Sequence, residues 1–237
     1  MDVEADRPAK RATRHGLSHL CLMWRRALSI LWPLMEARAT GRHGELSVRW
    51  EAGSKVLNSP NGNQSFGALH RVWQEVFAQL RLKERPPRQV LLLGLGGGSV
   101  PAILRDELGI AAPITALELD PTMVHLARTH FDLDRHRDLH VLEGDATIQL
   151  HALKERFQLV VVDLFADLDL ARGVDSKAFL RGLRERCAPD GLVCFNTVAY
   201  DPISERRCQA VHDLSLTLFD RVDEIRLEEW NRVFILS

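Results

Sequence analysis

Three acidic residues stand where this chain could do chemistry. Glu118, Asp145 and Asp163 each follow a short apolar run, in ITALE, LHVLEGD and LVVVD. Such runs have the composition of strands buried in a parallel sheet. The carboxyl edge of an open α/β sheet is where ligands bind. A further run, Val90 to Leu93, breaks at Gly94-Leu95-Gly96-Gly97-Gly98, and helical spacing begins at Val100, Ile103, Leu104 and Leu108. A buried strand, a glycine turn and a helix start bring backbone amides against a nucleotide-like ligand. Glu118 follows that turn by about twenty residues, the spacing at which a carboxylate accepts both hydroxyls of a ribose. Asp145, with Ala146 behind it, suits an adenine amino group, and Asp163 falls near the reactive end of such a ligand. The competing role for each acid taken singly is a helix N-cap. Three acids at three strand ends beside a G-x-G-x-G turn weaken that reading. The dinucleotide pattern G-x-G-x-x-G/A fails, because Ser99 occupies its last position.

The elements that must position these residues alternate regularly. Strands are expected at Val90–Leu93, Ile114–Leu119, Leu139–Leu142, Leu159–Val162 and Leu192–Asn196. Helices fall between them, with Pro101 and Pro121 fitting first turns. Two closing strands lie near Val222–Leu227 and Val233–Leu236, joined by too few residues for a helical crossover, so one runs antiparallel. The expectation is α/β: a doubly wound, Rossmann-like, seven-stranded and mostly parallel sheet with one antiparallel strand. Before it, alternation between Glu45 and Asn58 predicts a small β-hairpin around Glu51-Ala52-Gly53-Ser54. A turn cluster at Ser59-Pro60-Asn61-Gly62-Asn63 and a helix from Leu69 to Leu80 complete this unit. The chain divides into 1–44, a polar tail with an amphipathic helix over Leu17 to Met35; 45–85, the hairpin and linking helix; and 86–237, the ligand-binding domain.

Composition narrows the partners. A chain of 237 residues with 46% hydrophobic and 27% charged residues is an ordinary globular protein with room for one full core. A net charge of -1 gives no support for a nucleic-acid partner. Cys21, Cys187, Cys194 and Cys208 form no C-x-x-C pair, which suggests reduced thiols and a cytoplasmic protein. His15 and His19 have helical spacing but no acidic or cysteine neighbour, so no metal site is expected. The Leu17–Met35 segment is too short and too interrupted by arginines to span a membrane, and it lacks the order of a secretory signal. Its expected role is to pack on its own domain or on a second copy of the chain in a homodimer, with a membrane-surface helix as the alternative.

The set VLLLGLGGG, ALELDP, LEGDA and VVVDLF, with the hairpin and the NQSF segment, resembles the spermidine synthase family within the class I S-adenosylmethionine-dependent methyltransferase fold. The resemblance covers about Glu45 to Ser237. It implies S-adenosylmethionine or its decarboxylated form as donor, held by Gly94, Gly96, Gly98, Glu118, Asp145 and Ala146. It implies Asp163 facing an attacking amine, with Gln64, Asp167 and Tyr200 as further acceptor-binding candidates. The departures from the family are specific. The glycine turn has Gly97 where an aspartate is usual, and Phe66-Gly67-Ala68 lacks the family's polar groups. The acidic loop reads Asp163-Leu164-Phe165-Ala166-Asp167. A diamine needs partners for two buried ammonium groups, so putrescine is not the expected acceptor. Three readings follow: an alkyl transferase, methyl or aminopropyl, acting on a small, less cationic acceptor; a true aminopropyltransferase; or a non-catalytic binder of an adenosyl ligand.

Overall fold

The computed structural model describes residues 23–237. Its centre is a seven-stranded sheet, ordered β12-β13-β11-β8-β5-β6-β7. The strands are β5 (Val90–Leu93), β6 (Ile114–Glu118), β7 (Leu139–Glu143), β8 (Phe157–Val162), β11 (Cys187–Val198), β12 (Val222–Leu227) and β13 (Asn231–Leu236), while β9 (Phe165–Ala166) and β10 (Asp169–Leu170) form a separate two-stranded ribbon. All neighbours in the seven-stranded sheet run parallel except β13, which is antiparallel to both β11 and β12. This is the expected sheet. The four residues of β5 have no exposed surface, because helices cover both faces. Each buried leucine there contributes about 1.5–3 kcal/mol.

The helices are α1 (Ala68–Gln79), α2 (Ser99–Ala102, running on as a π turn over Ile103–Glu107), α3 (Pro121–Phe131), α4 (Ala146–Gln149), α5 (Lys177–Arg186) and α6 (Pro202–Leu216). One apolar layer joins Trp73, Val76 and Phe77 of α1 to Leu92, Ile103, Val124 and Val161. The other joins Phe179, Leu180 and Leu183 of α5 and Val211 of α6 to Leu91, Val160 and Phe195. Strand order reverses at β5: the chain proceeds to β6 and β7 on one side, then returns to β8 on the other. The crevice beyond the carboxyl ends at that reversal is the place for a ligand.

A second sheet, β1-β2-β3-β4, precedes this domain, formed by β1 (Leu34–Gly41), β2 (Gly44–Glu51), β3 (Ser54–Asn58) and β4 (Asn63–Ser65). The expected hairpin is β2–β3, but it sits inside a four-stranded sheet. The segment read as a helix through Met35 is helical only over 23–28 among the described residues, and Leu34–Gly41 is a strand paired with β2. Pro33 blocks helix propagation past Trp32, and this stop signal outweighs the apolar spacing around it. The described part of that helix leaves Trp24 and Leu28 exposed, and is tied to the small sheet by Arg25, which pairs with Glu36 of β1. The rest of it, with His15, His19 and Cys21, lies outside the described residues.

Glu36 fastens β1, accepting hydrogen bonds from Trp50 Nε1, Lys55 Nζ and His130 Nδ1. Burial raises its pKa, but the bonds from Lys55, His130 and Trp50 outweigh that and bring it to about 2. Leu46, Val48 and Leu57 pack on Met123, Leu126 and Phe131 of α3, seating the small sheet over the ligand edge of the large one. Cys187, Cys194 and Cys208 are buried free thiols. No helix among the described residues is long and apolar enough to cross a membrane.

Candidate active site

Beyond the ends of β5, β6, β8 and β11 lies a cavity of about 280 Å³, roofed by the small sheet and the 59–64 loop. Gly94, Gly96, Glu118 and Asp163 line it, with Gln64 and Asp167 on the roof side. Its apolar wall includes Leu69, Met123, Leu164, Phe165, Leu168 and Trp230. A larger open groove of about 980 Å³ crosses the small sheet near Lys55, Arg71 and Arg135. These cations are paired with Glu36, Glu228 and Asp106 respectively, and none of the candidate acids lies there. Glu118, Asp163 and Asp167 line the smaller cavity instead.

The glycine turn cannot cradle a phosphate, because its amides are engaged. Leu95 N and Gly96 N donate to Glu118 Oε2 at 3.0 and 3.1 Å. Gly97 N donates to Ser65 Oγ at 2.7 Å, and Gly98 N donates to Leu95 O. Gly94 and Gly96 must be glycines for packing reasons. Both have positive φ, and a Cβ would lie 2.0 Å from the Asp163 carbonyl oxygen at Gly94 and 2.6 Å from Ser65 Oγ at Gly96. Gly98 is the left-handed N-cap of α2 and lies behind the cavity wall, against Leu133.

Glu118 is buried at the end of β6. Burial pushes its pKa up, an effect partly offset by hydrogen bonds from the amides of Asp120, Gly96 and Leu95. Oε2 accepts twice and Oε1 once, from Asp120 N at 3.0 Å. A carboxylate has about four acceptor positions, so Oε1 retains room for a hydroxyl donor.

Asp163 is held differently, and it caps no helix. Trp73 Nε1 donates to Oδ2 at 2.9 Å, and Asn196 Nδ2 donates to Oδ1 at 2.9 Å. The residue keeps some surface where it lines the cavity, while its carboxyl is enclosed by these two partners. Burial raises its pKa to about 6 against the lowering effect of Asn196 and Trp73. At pH 7 the anion predominates.

The other acids in the cavity wall serve the scaffold. Asp120 caps α3 through Thr122 N and holds the β1–β2 turn through Arg42 N. Asp167 accepts from Ser59 Oγ, Asn61 N and Asn61 Nδ2, which ties the 163–170 loop to the 59–63 turn. Burial raises its pKa, but those bonds outweigh it and hold the carboxyl below the usual range. Gln64 Nε2 bonds Ser59 Oγ and the Asp167 carbonyl oxygen within the same tie. Asp145 is the N-cap of α4, accepting from Thr147 N and Oγ1, and neither it nor the buried Ala146 lines the cavity. Tyr200 also lies off the wall, donating its hydroxyl to Asp169 Oδ1. The N-cap alternative therefore holds for Asp145 and fails for Glu118 and Asp163.

Sequence reading missed Trp73, Asn196 and Asn231. Asn196 carried a signal, as an amide in the apolar run LVCFN at a strand's carboxyl end. Trp73 carried none, since a tryptophan on the apolar face of a helix reads as core. Among the described residues no cluster of His, Cys, Asp and Glu could hold a metal.

This sheet order, with a glycine turn after β5 and an acid ending β6, defines the class I methyltransferase fold that spermidine synthases share. The fold is matched by a probable spermidine synthase from Corynebacterium glutamicum, with TM-score 0.72 and 16% identity over 85% of this chain and 79% of the other. Human methyltransferase-like protein 13, solved in complex with SAH, matches with TM-score 0.60 and 21% identity over 73% and 82%. In sequence, the eEF1A lysine and N-terminal methyltransferase homolog of Drosophila melanogaster is 30% identical over 181 residues, 69% of this chain but 26% of the relative. A polyamine aminopropyltransferase of Vibrio vulnificus is 27% identical over 114 residues, 47% of this chain and 38% of the relative. The chain thus spans about a quarter of the fly relative's length. No protein-family model matches it.

Proposed function

We propose that the chain is an alkyl transferase that takes S-adenosylmethionine or its decarboxylated form as donor and an amine as acceptor. One observation carries this reading: a buried carboxylate, Asp163, shares a cavity with the ribose-type acid Glu118 across the end of β5. The residues present fit the donor. Glu118 has acceptor room for ribose hydroxyls, and the engaged turn amides favour a ligand without phosphates. The solved human neighbour carries SAH, and the sequence relatives include both methyl- and aminopropyltransferases. In this reading 86–237 forms the donor domain, and the small sheet with α1 roofs it.

A bound donor supplies an electrophilic carbon on a sulfonium. The acceptor nitrogen uses its lone pair to form the new C–N bond, while the C–S bond breaks and its electrons return to sulfur. Before that attack the bound ammonium gives one proton to Asp163, and through it to solvent, which frees the lone pair. Positioning provides most of the acceleration. Asp163 can accept a proton because it is ionised at neutral pH, yet its pKa of about 6 keeps it a better base than an ordinary aspartate.

The test has two stages. Either donor form, or its thioether product, should raise the melting temperature by the equivalent of about 2.7 kcal/mol at 100 times its dissociation constant, with NAD inert. An amine panel with chromatography of products then identifies the acceptor. No shift with any adenosyl ligand at millimolar concentration removes the donor assignment. Binding without turnover of any amine favours a non-catalytic binder.

A further inference from the structure

The way Asp163 is held points to how many charges the acceptor carries, an inference that rests on the amine-transfer reading above. Asn196, fully buried at the end of β11, accepts from Asn231 Nδ2 at 3.1 Å through its own Oδ1. That bond orients the next one. With Asn231 donating to its carbonyl, Asn196 can present only its NH₂ to Asp163. Asn231 is placed by strand register, opposite Val198 on β11, and the turn before it is fixed by Ala199 N donating to Trp230 O at 2.9 Å. The amide NH₂ of Asn231 is therefore engaged. Its Oδ1 accepts from no group among the described residues, and the residue lines the cavity.

The acceptor inventory of the cavity is then short. Asp120 is committed to the α3 cap and the β1–β2 turn, Asp167 to the loop tie, and Glu118 to the glycine turn. On the β8 and β11 side of the cavity, away from Asn61 and Gln64 on the roof, the open acceptors are the Asp163 carboxylate, with one partner on each oxygen, and the Asn231 side-chain carbonyl. A primary ammonium has three N–H donors, which those three oxygens can satisfy. A second ammonium further along the acceptor would meet Leu164, Phe165, Leu168 and Trp230, where the loop carboxylate lining the cavity, Asp167, is already held by Ser59 and Asn61.

We propose that Asn231 is the second acceptor-binding residue of this site: its carbonyl oxygen and the Asp163 carboxylate together hold the amino group of a monoamine whose remaining substituent lies along the apolar wall. Asn231 thereby sets the preference against diamines.

The test uses the full chain saturated with S-adenosylhomocysteine, titrated with n-butylamine and with putrescine, in wild type, Asn231→Leu and Asn231→Asp. Wild type should bind n-butylamine more tightly than putrescine. Asn231→Leu should weaken n-butylamine about tenfold, the value of one ordinary hydrogen bond, with S-adenosylhomocysteine affinity unchanged. Asn231→Asp adds a second carboxylate and should shift the preference towards putrescine. If Asn231→Leu does not fold, the preference of Asn231→Asp decides. Variants with wild-type affinity for both amines would overturn the proposal. So would a wild-type protein that binds S-adenosylhomocysteine but neither amine, a result that leaves the donor site standing. Failure to bind either S-adenosylhomocysteine or methylthioadenosine, the thioether products of the two donor forms, overturns the underlying reading instead.

Discussion

Glu118 and Asp163 stand on the two strands that flank β5, and burial raises the pKa of both. Their donors differ in kind. Glu118 is held by three backbone amides, two of them in the glycine turn, so its carboxylate is part of the turn's own structure. Asp163 is held by an indole N–H and a side-chain amide, one on each oxygen. Backbone donors fix a carboxylate rigidly and make it costly to remove. Side-chain donors enclose Asp163 while leaving it able to take a proton near neutral pH. In the proposed reading one shoulder of β5 holds the donor and the other reacts.

Asp163→Asn breaks the reacting shoulder and should have the largest effect. Turnover of the identified amine should fall about 10²–10⁴-fold with donor affinity retained, the range for loss of a general base. Equal turnover in both proteins would remove Asp163 from the mechanism. Stability should move the other way. The folded pKa is raised from 3.8 to about 6, so the stabilising contribution of Asp163 is fully present below pH 4 and is lost as pH rises through 6. Melting curves of wild type and variant should therefore converge near pH 4 and separate by pH 7, with the variant more stable.

Glu118→Ala tests the holding shoulder. Donor affinity should drop by about 1–3 kcal/mol in calorimetry. The melting temperature should fall as well, because the amides of Leu95, Gly96 and Asp120 lose their acceptor. A loss of affinity with an unchanged melting temperature would show that the turn re-forms its bonds elsewhere, and the contrast would weaken.

Trp73→Phe sharpens the comparison without removing either acid. It keeps an aromatic ring in the core, with some loss of packing, and deletes one donor to Asp163. The acid limb of kcat/KM, expected near pH 6 in wild type, should move upward. Turnover at pH 6 then falls several-fold while turnover at pH 8 changes little. An unmoved limb would show that the indole bond does not tune Asp163.

The smallest effect belongs to Asp167→Asn. Asparagine keeps an acceptor for Ser59 and Asn61 but loses the charge. A KM for the amine within about twofold of wild type and a stability loss of about 0.5–1.5 kcal/mol mark a loop tie. A much larger rise in KM would return Asp167 to the acceptor site.

The order of strands and helices was legible in the sequence because period and punctuation agreed. Buried runs such as VLLL and LVVV alternate with helical spacing, and Pro101 and Pro121 mark first turns. The reading of a helix through Met35 failed where they disagreed. Apolar spacing pointed to a helix, Pro33 pointed to a stop, and pairing with β2 decided for a strand.

The donor half of the site was also readable. Gly94, Gly96 and Glu118 belong to consecutive elements, so spacing along the chain places them together. The acceptor half was not. Trp73, Asp163, Asn196 and Asn231 come from one helix and three strands, and are brought together by sheet order and the seating of α1. Which acids stay free was equally hidden: Asp145, Asp163 and Asp167 look alike as strand-end or loop aspartates in the sequence. Sequence alone determined where carboxylates could stand, since that follows from local periodicity. Tertiary structure decided which of them keeps open lone pairs towards a cavity, because that depends on donors that arrive from distant parts of the chain.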